Sequence, residues 1–220
     1  MAVWGRPRMR RGPGPWLPLR MRNIHRIGHD IVSDLDLTWY GRPVLHIVDA
    51  FVDGHGISRI GGHDIVGDDI DQGANLFLWA EAALVPSVFA EGGPVTAEQE
   101  DAWTVRLTVP LGAGTDTAWL RFSDGHPSRF FALRYKGQGA PSKIWWHVDF
   151  AGWRVLHGIP LAARADVIWE DEGRPWLRWD QSGFAPNVPI DRRLAEVAEL
   201  VRTARAAAGL DTGAGPALAA

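Results

Sequence analysis

Alternation of apolar and polar residues along the first part of the chain predicts β-strands. Residues 34–40 place leucine and tryptophan on one face and aspartate and threonine on the other, the period of two expected of a half-buried strand. Residues 44–52 are largely apolar on both faces and rich in β-branched side chains, which predicts a central strand. Turn-forming residues at 41–43 and 53–56 separate these segments, so residues 31–66 predict a β-meander.

A second group of alternating segments follows residue 100. The predicted strands cover residues 103–109, 116–123, 128–135, 143–150, 164–170 and 175–180. Most of the linkers between them are short and rich in glycine, aspartate and proline, as β-hairpins require. The sequence therefore predicts an antiparallel sheet of about nine or ten strands.

Two segments have the spacing of apolar residues that is typical of helices. Residues 74–90 predict a helix with Asn75 as a plausible N-cap, and Pro86 should kink or end it because proline lacks a backbone donor. Residues 191–208 predict a strongly amphipathic helix, with Asp191 at its N-terminus as the cap.

Composition and charge narrow the classes of function. The chain has 220 residues, 46% hydrophobic side chains and a net charge of −3, which fits one globular domain and does not favour binding to nucleic acid. Cysteine is absent, which excludes disulfides, thiolate nucleophiles and cysteine-ligated metals. No run approaches the ~20 apolar residues of a membrane-spanning helix, so we expect a cytoplasmic protein.

The start of the chain is basic. The first 29 residues contain seven arginines and no acid, and no apolar run of the kind found in an export signal follows them. We expect residues 1–23 to be a basic, poorly ordered leader. The alternative is peripheral association with a membrane, through weak contact of these arginines with an anionic surface.

A repeated pentapeptide raises the alternative of a metal site. Gly-His-Asp-Ile-Val occurs twice and contains His29–Asp30 and His63–Asp64. Each pair follows a glycine where the chain leaves a predicted turn, and aspartate bonds its local backbone readily in turns. We therefore expect turns, with no metal and no cofactor. The other residues that a metal site would draw on are His25, His46, His55, Asp49 and Asp53.

The second group of strands pairs tryptophan with ionisable residues on one face. The predicted core face carries Ala118, Leu120, Phe122, Phe131, Leu133, Tyr135, Ile144, Trp146, Val148 and Phe150. The opposite face carries Trp119, Arg121, Phe130, Arg134, Trp145, His147, Asp149, Trp176, Arg178 and Asp180. This face is either covered by helices and loops, or concave and the lining of a ligand pocket, or an open aromatic platform for sugar or single-stranded nucleic acid.

Glu81 stands out because all its close neighbours in the sequence are apolar. A buried carboxylate needs a cation or several donors, or else it takes up a proton. The candidate partners are Arg121, Arg134 and His147. Such a residue serves either as a structural ion pair between helix and sheet or as an acid–base group with a raised pKa. The common catalytic motifs for serine hydrolases, nucleotide binding and zinc proteases are absent.

The order of several motifs resembles a bacterial family known only as a domain of unknown function. The segments that carry the resemblance are VDAFVDGHG at 48–56, IDQGANLFLWAEAALVPS at 70–87, Trp103, AWLRF at 118–122, and Trp145, Gly152, Trp153, Gly158, Ile159 and Pro160. The second segment contains a W-x-E-A-x-x-x-P helix motif, from Trp79 to Pro86. In architecture this family is similar to half-barrel lipoprotein carriers, in which a curled antiparallel sheet closed by helices holds acyl chains.

The resemblance and the strand pattern together predict an α+β fold. We expect a strongly curled, half-barrel-like antiparallel sheet in a single domain over residues 24–190, with the 74–90 helix packed across it. The 191–208 helix should dock outside the sheet, and residues 209–220 should form a disordered tail.

For function, we predict non-catalytic binding or carriage of a hydrophobic or amphipathic small molecule. The apolar walls would be Trp79, Trp119, Trp145 and Trp169, and the residues that select a polar headgroup would be Glu81, Arg121, Arg134 and His147. One alternative is an acid–base lyase, isomerase or hydrolase that uses Glu81 or His147. The other is a scaffold whose tryptophan face binds a protein partner or a second copy of the chain.

Overall fold

A single curled sheet forms the frame of the protein, with one helix on each of its faces. The computed structural model describes residues 1–89 and 93–210, and within them fourteen strands pair antiparallel. The strands are β1 (Ala2–Gly5), β2 (Arg8–Met9), β3 (Leu17–Arg26), β4 (Asp30–Trp39), β5 (Arg42–Val52), β6 (His55–Ile60), β7 (His63–Ile65), β8 (Thr96–Gln99), β9 (Thr104–Leu111), β10 (Gly114–Ser123), β11 (His126–Tyr135), β12 (Lys143–Leu156), β13 (Ile159–Trp169) and β14 (Arg174–Ala185). The helices are α1 (Asp68–Ala82) and α2 (Asp191–Ala207), with a short 3-10 helix at Pro86–Phe89. The predicted curled antiparallel sheet with two helices is confirmed, although it has more strands than the nine or ten expected.

The sheet runs in the order β7-β6-β5-β4-β3-β1-β14-β13-β12-β11-β10-β9-β8, and β2 pairs with β14 and β3. Strands β3 to β7 form one series of hairpins and strands β8 to β14 form another, because short turns join strands that are neighbours along the chain. The N-terminal strand β1 lies between β3 and β14 and so joins the two groups into one sheet.

The first 26 residues differ from the predicted leader, because they form three strands in the middle of the sheet. In β3, Leu19 and Met21 are buried, while Arg20 and Arg22 lie opposite Asp36 and Asp34 of β4. The arginines therefore belong to the polar side of a period-two pattern and face acids on the neighbouring strand. Of the predicted disordered tail, residues 211–220 lie outside the described residues.

Helix α1 begins earlier than predicted. It starts at Asp68 and not at residue 74, and three acids in its first turn favour the positive end of the helix dipole. Asn75 is therefore inside the helix and is not its cap: its amide donates to the Pro110 carbonyl at 2.9 Å. The polar first turn carries no apolar spacing, which is why periodicity alone placed the start too late. The helix ends at Ala82, short of the predicted end at residue 90, and Pro86 begins a separate short 3-10 helix.

The inner face of the sheet, defined as the face toward α1, holds the larger core. Helix α1 approaches β6 closely at Gly56, where an added Cβ would lie 2.7 Å from the Ile70 carbonyl oxygen and 2.9 Å from Ala74 Cβ. On its other side it meets β9 to β11, where the Gln72 amide donates to the Leu133 carbonyl at 2.9 Å. Helix α1 therefore bridges the two ends of the curled sheet.

The outer face, opposite to α1, is covered in part by α2. The apolar stripe of α2 and its partners on strands β3 to β5 form a second buried cluster: Ile24, Val32, Val48, Val52, Leu194, Val197, Val201 and Ala204. Helix α2 thus docks outside the sheet, as predicted. With 15 and 17 residues, α1 and α2 are too short for a membrane span, and the described part of the chain offers no longer helix.

Strand β11 has the opposite phase to the predicted one. Phe130 and Ala132 are fully buried on the inner face, whereas Leu133 is 39% exposed on the outer face. The predicted assignment of Phe131 and Leu133 to the core is therefore wrong. In the run Phe130 to Leu133 every residue is apolar, so the sequence gives the period of a strand without fixing which residues point inward.

Candidate functional site

A cavity of about 530 Å³ lies between the inner face of the sheet and α1. Its volume is in the range of ligand pockets in proteins. The walls are mostly apolar and come from both groups of strands and from the helix; they include Leu19, Met21, Leu35, Ile47, Phe77, Trp146, Val148, Ala165, Val167, Trp169 and Leu177. Because curling brings distant strands around one space, no local segment of sequence defines this cavity.

One end of the cavity opens to solvent. Four lining residues are exposed: Arg11, Ile60, Lys136 and Gln138. They come from the β2–β3 connection, the end of β6 and the β11–β12 connection, which meet at one end of the sheet. Helix α1 closes the cavity along its length through Ile70, Ala74, Phe77 and Glu81, whose spacing of three to four residues places them on one face.

Arg134 is the principal cation of the cavity interior. Its guanidinium carbon lies 4.6 Å from the ring centre of Trp146 and 5.4 Å from that of Trp169, both within the range of cation–π interaction. Against α1, its Nη2 would be only 2.9 Å from a Cβ added at Gly73. Glycine inside a helix costs about 0.5–1 kcal/mol relative to alanine, and here it leaves the space that the guanidinium fills.

Asp49 is the acid that faces Arg134 across the cavity. Burial raises the pKa of Asp49, while the hydrogen bond from Ser58 and the charge of Arg134 oppose the rise. The Ser58 hydroxyl donates to Asp49 Oδ1 at 2.6 Å. Burial also lowers the pKa of Arg134 to about 10, and the charge of Asp49 opposes that change. The charges of Asp49 and Arg134 therefore influence each other, although the two side chains form no ion pair within 4 Å among the described residues.

Glu81 and His25 form a buried pair at another part of the wall. Glu81 Oε2 lies 3.6 Å from His25 Nε2. Burial raises the pKa of Glu81 to about 8, although the Asn23 amide opposes the rise. Burial lowers the pKa of His25 to about 3. Both side chains are therefore neutral at pH 7, because neither charged form is sufficiently compensated for its lost hydration.

Several polar atoms at the cavity wall have no hydrogen-bond partner among the described residues. They are Ser33 Oγ, Glu81 Oε2, Arg134 Nε, Trp146 Nε1 and Trp176 Nε1. Buried polar groups are nearly always hydrogen-bonded in native proteins. An apolar cavity with a few unpaired donors and acceptors is the arrangement that orients an amphipathic ligand.

Three of the eight predicted site residues line the cavity: Glu81, Arg134 and Trp169. Trp79 is buried at a different face of α1, where its Nε1 donates to Asn75 Oδ1 at 3.1 Å and its ring packs against Phe89. The sequence pattern identified the polar groups of α1 and β11 but could not show which tryptophans faced the same space.

The other four predicted residues, Trp119, Arg121, Trp145 and His147, lie on the outer face. Trp119 stacks on Phe131 at 5.6 Å between ring centres and contacts Trp145 at 5.4 Å. The cavity is lined instead by Trp146, the next residue along β12. His147 and Glu81 are therefore on opposite sides of the sheet, so His147 is not the partner of Glu81 that the sequence suggested.

His25, the partner of Glu81, is a residue that sequence reasoning did not pair with it. The candidates were Arg121, Arg134 and His147, all from the second group of strands. The available signal was the alternation of β3, in which Asn23 and His25 continue the inward set of Leu19 and Met21. Interpreting residues 1–23 as a leader concealed this pattern.

Each His-Asp pair lies where the chain leaves a turn and enters a strand: Asp30 begins β4, and His63 and Asp64 belong to β7. His29 is exposed, and buried Asp30 accepts the Asp53 backbone N–H at 3.1 Å. On the short strand β7, Asp64 is paired with Arg59 at 2.5 Å. Within residues 1–89 and 93–210, no three histidine or acidic side chains come close enough to hold a metal ion.

Several solved structures are similar to this chain. The sheet and helices resemble a putative outer membrane lipoprotein-sorting protein domain from Vibrio parahaemolyticus, with a TM-score of 0.50, 10% identity and coverage of 89% of each chain. A LolA superfamily protein from Nitrosomonas europaea has a TM-score of 0.48 and 12% identity, over 86% of this chain and 87% of that one. A DUF1329 family protein from Desulfovibrio piger has a TM-score of 0.46 and 12% identity, over 86% and 88%.

Sequence comparison defines the family. No curated protein matches the chain. A family model does match, and its description is a family of unknown function, DUF6544. The match covers residues 1–180, which include every strand from β1 to β13 and the cavity-lining helix. The protein therefore belongs to the DUF6544 family.

Proposed function

We propose that this protein binds and carries a hydrophobic or amphipathic small molecule in the cavity between the sheet and α1, without catalysing a reaction. The observation that carries the proposal is the cavity itself, about 530 Å³ in volume, mostly apolar and open at one end. The fold is that of a putative lipoprotein-sorting domain, which agrees with an apolar cargo.

The energetics of such a cavity favour a flexible apolar chain. Each buried CH₂ group contributes about 0.8 kcal/mol, so about ten methylenes contribute roughly 8 kcal/mol before the costs of ordering and association. Trp146 and Trp169 offer flat apolar walls with their ring centres 6.4 Å apart. These walls give affinity for a chain without requiring a particular chemical group along it.

Filling the cavity should prevent ligand binding. Ala165 lines the cavity on β13, between Phe150 and Trp179 of the neighbouring strands. We expect Ala165→Phe to weaken binding of dodecanol at least tenfold, because the added ring occupies volume that the chain needs. The measurement is a titration followed by tryptophan fluorescence, together with native mass spectrometry of protein purified without detergent.

The matched control is Ala206→Phe, at an exposed position of α2. This variant should bind like the wild type and should carry the same co-purified mass. Equal dodecanol affinity in Ala165→Phe and the wild type, with both folded, would show that the cavity is not the binding site. Wild-type protein that neither carries a ligand nor gains mass with apolar probes would contradict carriage altogether.

We further propose that loading occurs at a membrane surface, through exposed residues at the open end of the cavity. The β4–β5 turn presents Trp39, 62% exposed, and Tyr40, 92% exposed. Beside them the guanidinium of Arg20 donates to the Gly41 carbonyl at 2.8 Å. Aromatic side chains favour the lipid headgroup layer and arginine favours anionic lipid. In this proposal the membrane contact expected of the arginine-rich N-terminal segment would be made by Arg20 of β3 and the neighbouring β4–β5 turn.

Removing the exposed aromatics should reduce membrane binding. We expect the double variant Trp39→Ser with Tyr40→Ser to bind vesicles of anionic phospholipid several-fold more weakly than the wild type in a flotation assay. Replacing exposed Trp103 with serine is the matched control, since it lies on a different part of the surface. Wild-type binding should fall as salt increases, because arginine–lipid attraction is screened. Equal binding to neutral and anionic vesicles, unchanged by the double variant, would contradict this proposal.

A further inference from the structure

We infer that the ligand carries an anionic headgroup, a carboxylate or a phosphate, and that Arg134 binds this group near the open end of the cavity. The inference rests on the proposed function, because it concerns the same cavity. It adds the chemical class of the ligand and the residue that selects it.

The first argument is the position of Arg134. It lies on β11 two residues before Lys136, one of the exposed residues that mark the opening, and its guanidinium is held between Trp146, Trp169 and the backbone of α1 at Gly73. The aromatic faces and the helix fix the plane of the guanidinium. A ligand whose chain lies along the cavity would place its headgroup here, next to solvent.

The second argument is the unused hydrogen-bonding capacity of Arg134. Its Nε is buried and has no hydrogen-bond partner among the described residues. By contrast, Arg129 and Arg178 on the outer face each bind an aspartate through two nitrogen atoms, Asp149 and Asp166 respectively. A guanidinium presents its donors in a fork that matches a carboxylate or phosphate. An anionic headgroup in the cavity would satisfy Arg134 as those aspartates satisfy the outer arginines.

The third argument concerns the charges that face Arg134. Asp49 faces it from β5 but already accepts a hydrogen bond from Ser58. The ammonium group of Lys136 already forms ion pairs with carboxylate oxygens of Asp171 and Glu172, at 2.8 and 2.9 Å from its Nζ. Asp49 therefore balances the charge of Arg134 at a distance and leaves its hydrogen-bonding edge available to a ligand. Asp49 also competes with a ligand anion, so its removal should strengthen anion binding.

The chain of the ligand would extend from Arg134 toward Glu81. Gly73, which contacts Arg134, and Glu81 are eight residues apart on α1, which is about 12 Å along a helix. Between them Phe77 and Ala80 present an apolar surface to the cavity. The protonated carboxyl of Glu81 adds no charge at that end at pH 7. Arg134 therefore supplies a cationic position near the open end of the cavity, and an apolar path leads from it along α1.

The test compares probes that share a twelve-carbon chain and differ in headgroup: dodecanoate, dodecyl phosphate, dodecanol and dodecyltrimethylammonium. We expect the wild type to bind at least one of the two anions ten or more times more tightly than dodecanol, and to bind the cation no better than dodecanol. Arg134→Gln should bring anion affinity to the dodecanol level and leave dodecanol within about twofold. Asp49→Asn should strengthen anion binding. The two anionic probes distinguish a carboxylate from a phosphate headgroup.

Two further variants separate headgroup recognition from general damage to the fold. Arg121→Gln changes an exposed arginine on the outer face and should leave every probe unaffected. Gly73→Ala displaces the guanidinium from α1 and should reduce the preference for anions without preventing dodecanol binding, even if Arg134→Gln fails to fold. Wild-type protein that binds dodecanol as tightly as both anions would overturn the inference but leave the proposed carrier intact. Wild-type protein that binds none of the probes, dodecanol included, would instead overturn the proposed function.

Discussion

Replacing Asp71 with alanine is expected to lower the free energy of unfolding by about 3–5 kcal/mol, the usual cost of breaking a buried ion pair from one side. Asp71 Oδ2 accepts a hydrogen bond from Arg205 Nη1 of α2 at 3.0 Å, and Arg205 is only 5% exposed. Asp71 Oδ1 accepts the backbone N–H of Gly56 at 2.6 Å. The substitution would leave a buried cation and a buried donor unpaired. It would also remove the hydrogen bonds that link α1 to α2 and to β6.

Asp191→Ala is the matched control for this prediction. Asp191 also pairs with an arginine, Arg26, at 3.1 Å, but its side chain is 88% exposed. An exposed pair contributes about 0–1 kcal/mol, so its loss should be small. The double variant Asp71→Asn with Arg205→Met should be more stable than Asp71→Ala, because asparagine still accepts from Gly56 and no buried charge remains. Chemical denaturation measures all of these values, and equal losses for Asp71→Ala and Asp191→Ala would show that the buried pair is not important for stability.

Replacing Glu81 with glutamine is expected to remove a large pH dependence from the stability of the protein. In the folded protein burial raises the pKa of Glu81 from 4.5 to about 8. Between these two pH values the unfolded chain has lost a proton that the folded protein keeps, so unfolding becomes more favourable as the pH rises. For a pKa change of this size the Glu81 carboxyl by itself should contribute a loss of up to about 5 kcal/mol across this range. Glutamine is neutral at every pH and should show no such loss.

His25 changes the shape of the wild-type curve and must be considered with Glu81. Burial lowers the pKa of His25 from 6.5 to about 3. Its contribution to stability therefore rises as the pH increases from about 3 to 6.5. It offsets most of the loss from Glu81 between pH 4.5 and 6.5, so the net loss of the wild type, roughly 2 kcal/mol, should appear from pH 6.5 to 8.

The difference in unfolding free energy between Glu81→Gln and the wild type isolates the carboxyl group. Denaturant titrations at several pH values from 4.5 to 9 should show the glutamine variant becoming progressively more stable than the wild type up to pH 8. Glu199→Gln, on the exposed surface of α2, is the control and should differ from the wild type by a constant amount. A constant difference for Glu81→Gln as well would mean that Glu81 is ionised in the folded protein, and the neutral pair with His25 would be wrong.

The neutral state of Glu81 also bears on function. A protonated carboxyl can donate a hydrogen bond to a ligand but cannot attract a cationic headgroup. Ionisation above pH 8 would put a negative charge into the apolar part of the cavity, so ligands with apolar chains should bind less tightly there in the wild type than in Glu81→Gln. The same titration series, run with dodecanol, measures this effect.

The local pattern of the sequence determined the type and order of most elements. Period-two alternation and short turns predicted the strands after residue 30 and their antiparallel pairing, because hairpins are formed by neighbours along the chain. The apolar stripe of residues 191–208 predicted α2, found at Asp191–Ala207, and the need to bury that stripe predicted that it would dock against the sheet. The curvature of the sheet was predicted from the resemblance to half-barrel carriers and not from the strand pattern.

Long-range contacts decided what the local pattern could not. The first 26 residues are strands because β1 pairs with both β3 and β14, and β14 lies at the far end of the chain. Their arginines, taken alone, indicate a solvated leader. Helix α1 begins with a polar turn whose acids are stabilised by the helix dipole and, for Asp71, by Arg205. Neither the pairing of β1 with β14 nor the ion pair between Asp71 and Arg205 can be recognised from a local pattern in the sequence.

For the candidate site, the sequence identified residue types, and the tertiary structure decided which of them meet. Glu81, Arg134 and Trp169 were predicted and line the cavity. Glu81 and Arg134 could be identified because a charged residue among apolar neighbours in the sequence indicates a buried polar position. Trp145 was chosen over Trp146 because the pocket was expected on the face opposite to the core, whereas the cavity lies on the inner face, to which the core residues Trp146 and Val148 belong. The contact of Glu81 with His25 depends on β3 and α1 facing the same space, and only the closed fold, in which burial is decided by all neighbours together, determines that geometry.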